Sequence, residues 1–301
     1  MSLTFLRSGS SGNCTLVEYD GTRVLVDAGG QSRKRFHALL AEAELETSDI
    51  DAVVVTHLHG DHLNQSTLRI CRRFALPLWL HTTNAEHLPY KFAHRYLDGV
   101  MVRPFQESFA LGGLRFEAFE VSHDAPGITC GLRFCPAADP LLSVAYATDL
   151  GHFPGKLRPA FESAAAVVIE ANHDTELLWD NPRRTWAHKQ RVGGNHGHLS
   201  NDQTAEALVG IFRCAPRPPR TVVLAHLSGD HNSPQQALDT IGKKLDRHEL
   251  YPNLVSAFRD RRTPTYRIGT GGDGGTRALG AQQDLFGNPG GIVQSRPDRD
   301  R

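Results

Sequence analysis

The chain has 301 residues, 40% of them hydrophobic, enough to bury a core as one large domain or two small ones, and its 33 Lys and Arg balance 33 Asp and Glu. With no net charge there is no global field to draw in a polyanion, so a nucleic-acid contact has to come from a local patch. Arg183, Arg184, His188, Lys189 and Arg191 form one such cluster, equally readable on charge alone as a solvated helix face.

Strands are expected at Leu3 to Leu6, Thr15 to Tyr19 and Arg23 to Asp27, the last two joined by the hairpin signal Asp20-Gly21. A helix follows from Ser32 to Ala43, then a strand at Ala52 to Val55, a helix over Gln65 to Phe74 and a short strand at Leu78 to Leu80. Further strands fall near Leu114 to Val121, Gly131 to Phe134 and Ser143 to Thr148. Beyond them, strands at Ala166 to Glu170 and Thr221 to Leu224 are separated by helical stretches, and a helix runs from Ser233 to Arg247. Ser200 and Gln203 form a capping box ahead of Ala205 to Leu208, which marks a helix start just after Leu199. Two similar halves of strands flanked by helices imply a mixed α/β, four-layer αββα sandwich over residues 1–269. Residues 270–301, rich in Gly, Asp, Arg, Gln and Pro, read as a disordered tail.

Nothing in the chain points to a membrane. Met1 to Asn13 lacks the apolar core and cleavage site of a secretory signal. The five cysteines (Cys14, Cys71, Cys130, Cys135, Cys214) include no C-x-x-C pair and read as reduced core thiols, so a cytoplasmic protein is expected.

His57-Leu58-His59-Gly60-Asp61-His62 places four metal-ligand side chains in six residues, directly after the apolar run Ala52 to Val55. A histidine-rich loop can be a solvated turn, but the central Asp, a Gly that permits a tight turn and the preceding β-branched strand favour metal. So dense a set suits two divalent ions roughly 3.5–4 Å apart that polarise a shared water. Three further ligand types stand at expected strand ends: His123, Asp149 and His226.

With these residues the chain resembles the metallo-β-lactamase superfamily, whose fold carries an H-x-H-x-D-H loop and later single His, Asp and His ligands. It is similar in particular to the YycJ/WalJ-type bacterial exonucleases that act on DNA from 5′ to 3′. The blocks that carry this likeness are Ser8-Gly9-Ser10-Ser11-Gly12-Asn13-Cys14, Glu170-Ala171-Asn172-His173-Asp174, Gly197-His198-Leu199-Ser200-Asn201, and His226-Leu227-Ser228 followed by Asn232. Trp186-Ala187-His188 and Asp230-His231 depart from the pattern.

The resemblance implies that His57, His59 and His123 hold one ion and Asp61, His62 and His226 the other, with Asp149 bridging and Asp27 buttressing the loop. Zn²⁺ and Mn²⁺ suit this donor set about equally. It further implies phosphodiester hydrolysis in which a metal-bridging hydroxide attacks phosphorus, with Asp61 and His198 as catalytic residues, His198 giving the leaving oxygen its proton. The helix start after His198 could receive the phosphate. Asn172 and His173, with Ser200, Asn201, Ser228 and Asn232, either contact substrate or hydrogen-bond loops, and Ser8 to Asn13 is a tight turn near the site rather than a phosphate cradle. The substrate is DNA or, alternatively, a small cyclic phosphodiester; a non-catalytic metal-bound regulatory module is the alternative of another class. In the tail, Gln282-Gln283-Asp284-Leu285-Phe286 resembles the peptide by which bacterial replication and repair proteins dock on the DNA polymerase sliding clamp, with Gln282, Asp284, Leu285 and Phe286 at the matching positions.

Overall fold

A computed structural model describes residues 1–269; the 270–301 tail and its Gln282 to Phe286 string lie outside the described residues. The first half runs β1 (Ser2–Arg7), β2 (Cys14–Tyr19), β3 (Thr22–Val26), α1 (Arg33–Glu42), β4 (Ala52–Val55), α2 (Gln65–Arg73), β5 (Leu78–His81), α3 (Thr82–Lys91), α4 (His94–Leu97) and β6 (Val102–Phe105). There follow β7 (Ser108–Leu111), β8 (Leu114–Val121), β9 (Thr129–Pro136), β10 (Val144–Ala147), α5 (Arg158–Phe161), β11 (Ala166–Glu170), α6 (Thr175–Trp179), α7 (Trp186–Val192), α8 (Asn201–Cys214), β12 (Thr221–Ala225), α9 (Pro234–Asp246), β13 (Asn253–Ser256) and β14 (Tyr266–Arg267).

The strands form two seven-stranded sheets, ordered β14-β1-β2-β3-β4-β5-β6 and β13-β12-β11-β10-β9-β8-β7. Period-two alternation sorts the central strands between layers. In β11, Ala166 and Val168 point between the sheets, while Val167 and Ile169 meet Leu208 and Ile211 of α8 and Ile241 of α9. In β4, Val54 points between the sheets, while Val53 and Val55 meet Phe36 and Leu39 of α1 and Leu68 of α2. Covering both faces explains why these strands read as unbroken apolar runs. The result is the expected αββα sandwich, and no helix among the described residues is long and apolar enough to cross a membrane.

Local signals hold where their chemistry is complete. Asp20 and Gly21 both take positive φ (48° and 78°), closing the β2–β3 hairpin with Tyr19 opposite Thr22. Ser32 and Ser233 cap α1 and α9, and Ser200 with Gln203 makes the reciprocal capping box on α8. Strands β3 to β6 are parallel neighbours, as are β10 to β13. Their carboxyl ends open a shared crevice, the usual place for a ligand in an open α/β sheet.

The two sheets are also joined by a polar contact, Thr15 Oγ1 to Tyr146 Oη at 3.2 Å, with both residues 1% exposed. Tyr146→Phe should therefore cost about 1–3 kcal/mol, because the Thr15 hydroxyl is left buried without this partner. Tyr146→Ala should cost about 3–5 kcal/mol through the cavity it opens. Urea unfolding midpoints measure both, and equal stability of Tyr146→Phe and wild type would show that the contact contributes nothing.

Candidate metal centre

The loop after β4 reverses sharply: the amides of His62 and Leu63 both donate to His59 O, at 3.0 and 2.9 Å. It is fastened to its neighbours by Asn13 N to Asp61 O, Ala28 N to His62 O and Gly30 N to Gly60 O. The glycine this packing demands is Gly29, where a Cβ would lie 2.3 Å from His62 N. Gly60, expected to permit the turn, has a φ outside the left-handed region and open space where a Cβ would go. The Ser8 to Asn13 segment is a turn against this loop, closed by Gly12 N to Gly9 O at 2.8 Å and by Gly9 N to Asn13 Oδ1 at 2.9 Å.

His123, Asp149 and His226 arrive from the ends of β8, β10 and β12. The ring and carboxylate atoms then gather into sets within metal-ligand reach of one another: His57, His59 and His123; Asp61, His62, Asp149 and His226; and Asp149, Glu170, His198 and His226. Asp149 stands between the first two sets, with Oδ2 3.2 Å from His62 Nε2 and Oδ1 3.6 Å from His123 Nε2 and 3.5 Å from His226 Nε2. Tetrahedral bonds of ~2.0–2.1 Å place donors about 3.4 Å apart, so these separations fit ligands around an ion.

Each of four rings is held from outside through Nδ1, which turns Nε2 inward. Asp27 Oδ2 accepts from His62 at 2.8 Å, Glu170 Oε1 from His226 at 2.7 Å and Gly197 O from His123 at 2.9 Å, while Thr56 Oγ1 lies 3.1 Å from His57 Nδ1. Such outer partners fix tautomer and ring direction for metal binding. Within these donor sets two buried atoms remain without a hydrogen bond, His57 Nε2 and Asp149 Oδ2, the latter 3.2 Å from His62 Nε2. They are the free donors a cation needs, so the residues fit divalent metal. The cysteines are free thiols and none joins these donor sets among the described residues.

Glu170 was not singled out from sequence. It is fully buried at the end of β11, where Oε1 accepts from both His198 Nδ1 (2.9 Å) and His226 Nδ1 (2.7 Å), and Oε2 from the amides of Leu150 and Leu199. The signal available was its place, a carboxylate closing an apolar central strand, where an unpartnered charge is prohibitively costly.

The other expected substrate residues divide. Asn172 and Ser228 line a cleft of about 310 Å³ beside His198, together with Ser10, Ser11, Arg184, His188, Arg191 and Arg259. Asn201, Asn232, Ser200 and His173 instead tie loops together: Asn232 Nδ2 donates to Asn201 Oδ1 and Ala171 O, and Asn201 N donates to His173 O. At the α8 start the Ser200–Gln203 box and His173 O take the amides of Ser200, Asn201 and Gln203, three of the donors the expected phosphate seat would draw on. Lys189 also leaves the basic patch; it is buried and donates to Trp179 O. Arg184 pairs with Asp230 and Arg191 with Asp124, while Arg259, missed from sequence, has no ion-pair partner among the described residues.

Burial, followed by the neighbouring imidazoles, pushes His57 well below its ordinary pKa and His59 down to about 4, so both are neutral. Burial acts the same way on His62 and His226, but Asp149 and the adjoining carboxylates outweigh it, raising His62 well above its ordinary value and His226 to about 10. Burial disfavours the charge of Glu170 too, yet His198 and His226 bring it down to about 2. Protons on His62 and His226 offset part of the negative charge of the buried carboxylates beside them.

A profile of the family described as the beta-lactamase superfamily domain matches residues 22–227. The chain is 30% identical over 249 residues to a protein named exodeoxyribonuclease WalJ from Streptococcus pneumoniae serotype 2, covering 82% of this chain and 89% of that one. It is 28% identical over 254 residues, with the same shares, to a protein named exodeoxyribonuclease YycJ from Bacillus anthracis. Among solved structures, the metallo-beta-lactamase fold protein YhfI from Bacillus subtilis superposes with a TM-score of 0.62 at 17% identity, covering 87% of this chain and 97% of that one, a likeness of fold.

Metal loading should displace the two imidazolium protons, since a metal binds only unprotonated nitrogen. At neutral pH, below the raised values of His62 and His226, uptake should release about two protons per chain, and apparent affinity should climb as pH rises. Calorimetric titration in buffers of different ionisation enthalpy counts the protons; uptake with no release would contradict this charge balance.

Proposed function

Because the chain belongs to the β-lactamase superfamily, as a metallohydrolase relative of the WalJ and YycJ exodeoxyribonucleases, we propose that it is a dinuclear phosphodiesterase that degrades DNA from the 5′ end. The observation that carries this reading is the double use of Glu170, which holds a metal-facing ring, His226, and a cleft-facing ring, His198, on one oxygen. An arrangement that fixes a proton donor relative to a metal centre suits a reaction in which attack and leaving-group departure must be coordinated.

His57, His59 and His123 would hold one divalent ion and Asp61, His62 and His226 the other, with Asp149 between them; zinc and manganese both suit these donors. When bound, such ions supply a nucleophile from water at neutral pH and neutralise charge on the phosphoryl oxygens. The protein's own part is acid–base and positional. His198 donates a proton from Nε2 to the leaving oxygen while Nδ1–H stays on Glu170, which fixes the direction of the ring for that step. Asp61, beside His62 and His226, completes the donor set. Arg259, with Arg184, Arg191, His188, Ser10, Ser11, Asn172 and Ser228, lines the path of the phosphate backbone.

A net charge of zero makes that local seat the protein's own source of attraction for DNA, and docking on a sliding clamp through Gln282, Asp284, Leu285 and Phe286 would add local concentration. The second reading, a small cyclic phosphodiesterase, is favoured by the size of the cleft, about 310 Å³, near the lower bound for small-ligand sites. End-labelled duplex DNA and a cyclic ribose phosphate, offered in parallel to the metal-loaded protein, separate the two.

His198→Ala should reduce turnover of DNA by ~10²–10⁴-fold with metal content intact, the loss expected for a general acid. A nitrophenyl phosphodiester, whose leaving group needs no proton, should lose much less. Equal losses on both substrates would make His198 positional.

A further inference from the structure

The segment between α6 and α7 presents an aromatic surface that neither the core nor the metal centre uses. Trp186, the first residue of α7, is 64% exposed, an unusual position for so large an apolar ring. It rests on Trp179, the last residue of α6, with ring centroids 5.1 Å apart and planes at 46°. The backbone of Trp179 is tied to α7, where its carbonyl accepts from Lys189 Nζ. Trp186 is thus an indole on a fixed base.

Two arginines, Arg183 and Arg184, precede it closely in the chain. Arg183 is exposed and has no ion-pair partner among the described residues, while Arg184 and His188, two positions to either side of Trp186, line the cleft that contains His198. An exposed aromatic ring flanked by arginines and adjoining a phosphodiester centre matches the way proteins take hold of single strands, with bases on the ring and phosphates on the cations. A second copy of this chain could also cover the indole, but a two-fold interface would set the same arginines against themselves.

We infer that Trp186 is a stacking platform for an unpaired base of the strand entering the cleft, so that the preferred substrate carries a single-stranded end. The inference deepens the nuclease reading and rests on it. The test is fluorescence anisotropy of the metal-loaded full chain with a short fluorescein-labelled oligothymidylate whose phosphorothioate linkages resist cleavage. Trp186→Ala should weaken binding about tenfold or more, the loss of one base–aromatic stack, and Trp186→Phe should keep it within about threefold. Equal affinity of wild type and Trp186→Ala overturns the inference, as does sedimentation in which Trp186→Ala splits a dimer while oligonucleotide binding stays unchanged. Cleavage assays keep the two readings apart. DNA bound through Trp186 and never cut removes the nuclease reading but leaves the platform, whereas single-stranded ends cut with an unchanged KM by Trp186→Ala remove the platform but leave the nuclease.

Discussion

Three carboxylates taken out of water govern the rest of the molecule. Asp27, Asp149 and Glu170 are each at most 1% exposed, and a desolvated carboxylate has to find protons, hydrogen-bond donors or a cation. Asp27 is satisfied by Thr56 and His62, and Glu170 by two amides, His198 and His226. Asp149 is different: its Oδ2 makes no hydrogen bond and faces an array of ring nitrogens. The outer two aim the rings, and the inner one supplies the negative charge that makes the space between them a cation site.

The sandwich exists at this spot to hold those groups against their own preferences. Asp27, Asp149 and His226 follow β3, β10 and β12, and all three adopt left-handed backbone, with φ of 59°, 60° and 55°. Such strain, about 1–3 kcal/mol each, survives when the surroundings over-determine the conformation. At Asp27 and His226 they do: Asp27 N donates to Val54 O, Asn172 Nδ2 donates to His226 O and His226 N donates to Ser8 Oγ. Asn201 and Asn232, for which either substrate contact or loop hydrogen bonding was expected, hydrogen-bond each other.

What could be read from the chain follows from how local each signal is. The H-x-H-x-D-H loop after a β-branched strand, the hairpin at Asp20-Gly21 and the box at Ser200 and Gln203 each state their chemistry within a few residues, and the structure keeps them. Strands β6, β7, β13 and β14, of two to four residues, are too short to show a period, and each is the edge strand of its sheet. Helix α7 hides for another reason: its buried side chains are Lys189 and Val192, so it carries no apolar stripe, and its basic residues look like a patch. Glu170 and Arg259 owe their roles to partners far away in sequence, His226 and the Ser10–Ser11 turn, that only the closed sandwich brings near.

The claim on which the account turns is that the buried carboxylates and the rings they aim together hold two divalent ions. The metal-to-protein ratio of the purified chain, measured by elemental analysis after reconstitution and removal of loose ions, tests it most directly. The account predicts a ratio near two, with Asp149→Ala lowering occupancy of both ions, since that residue stands between the two donor sets. A ratio that saturates at one or below would contradict it.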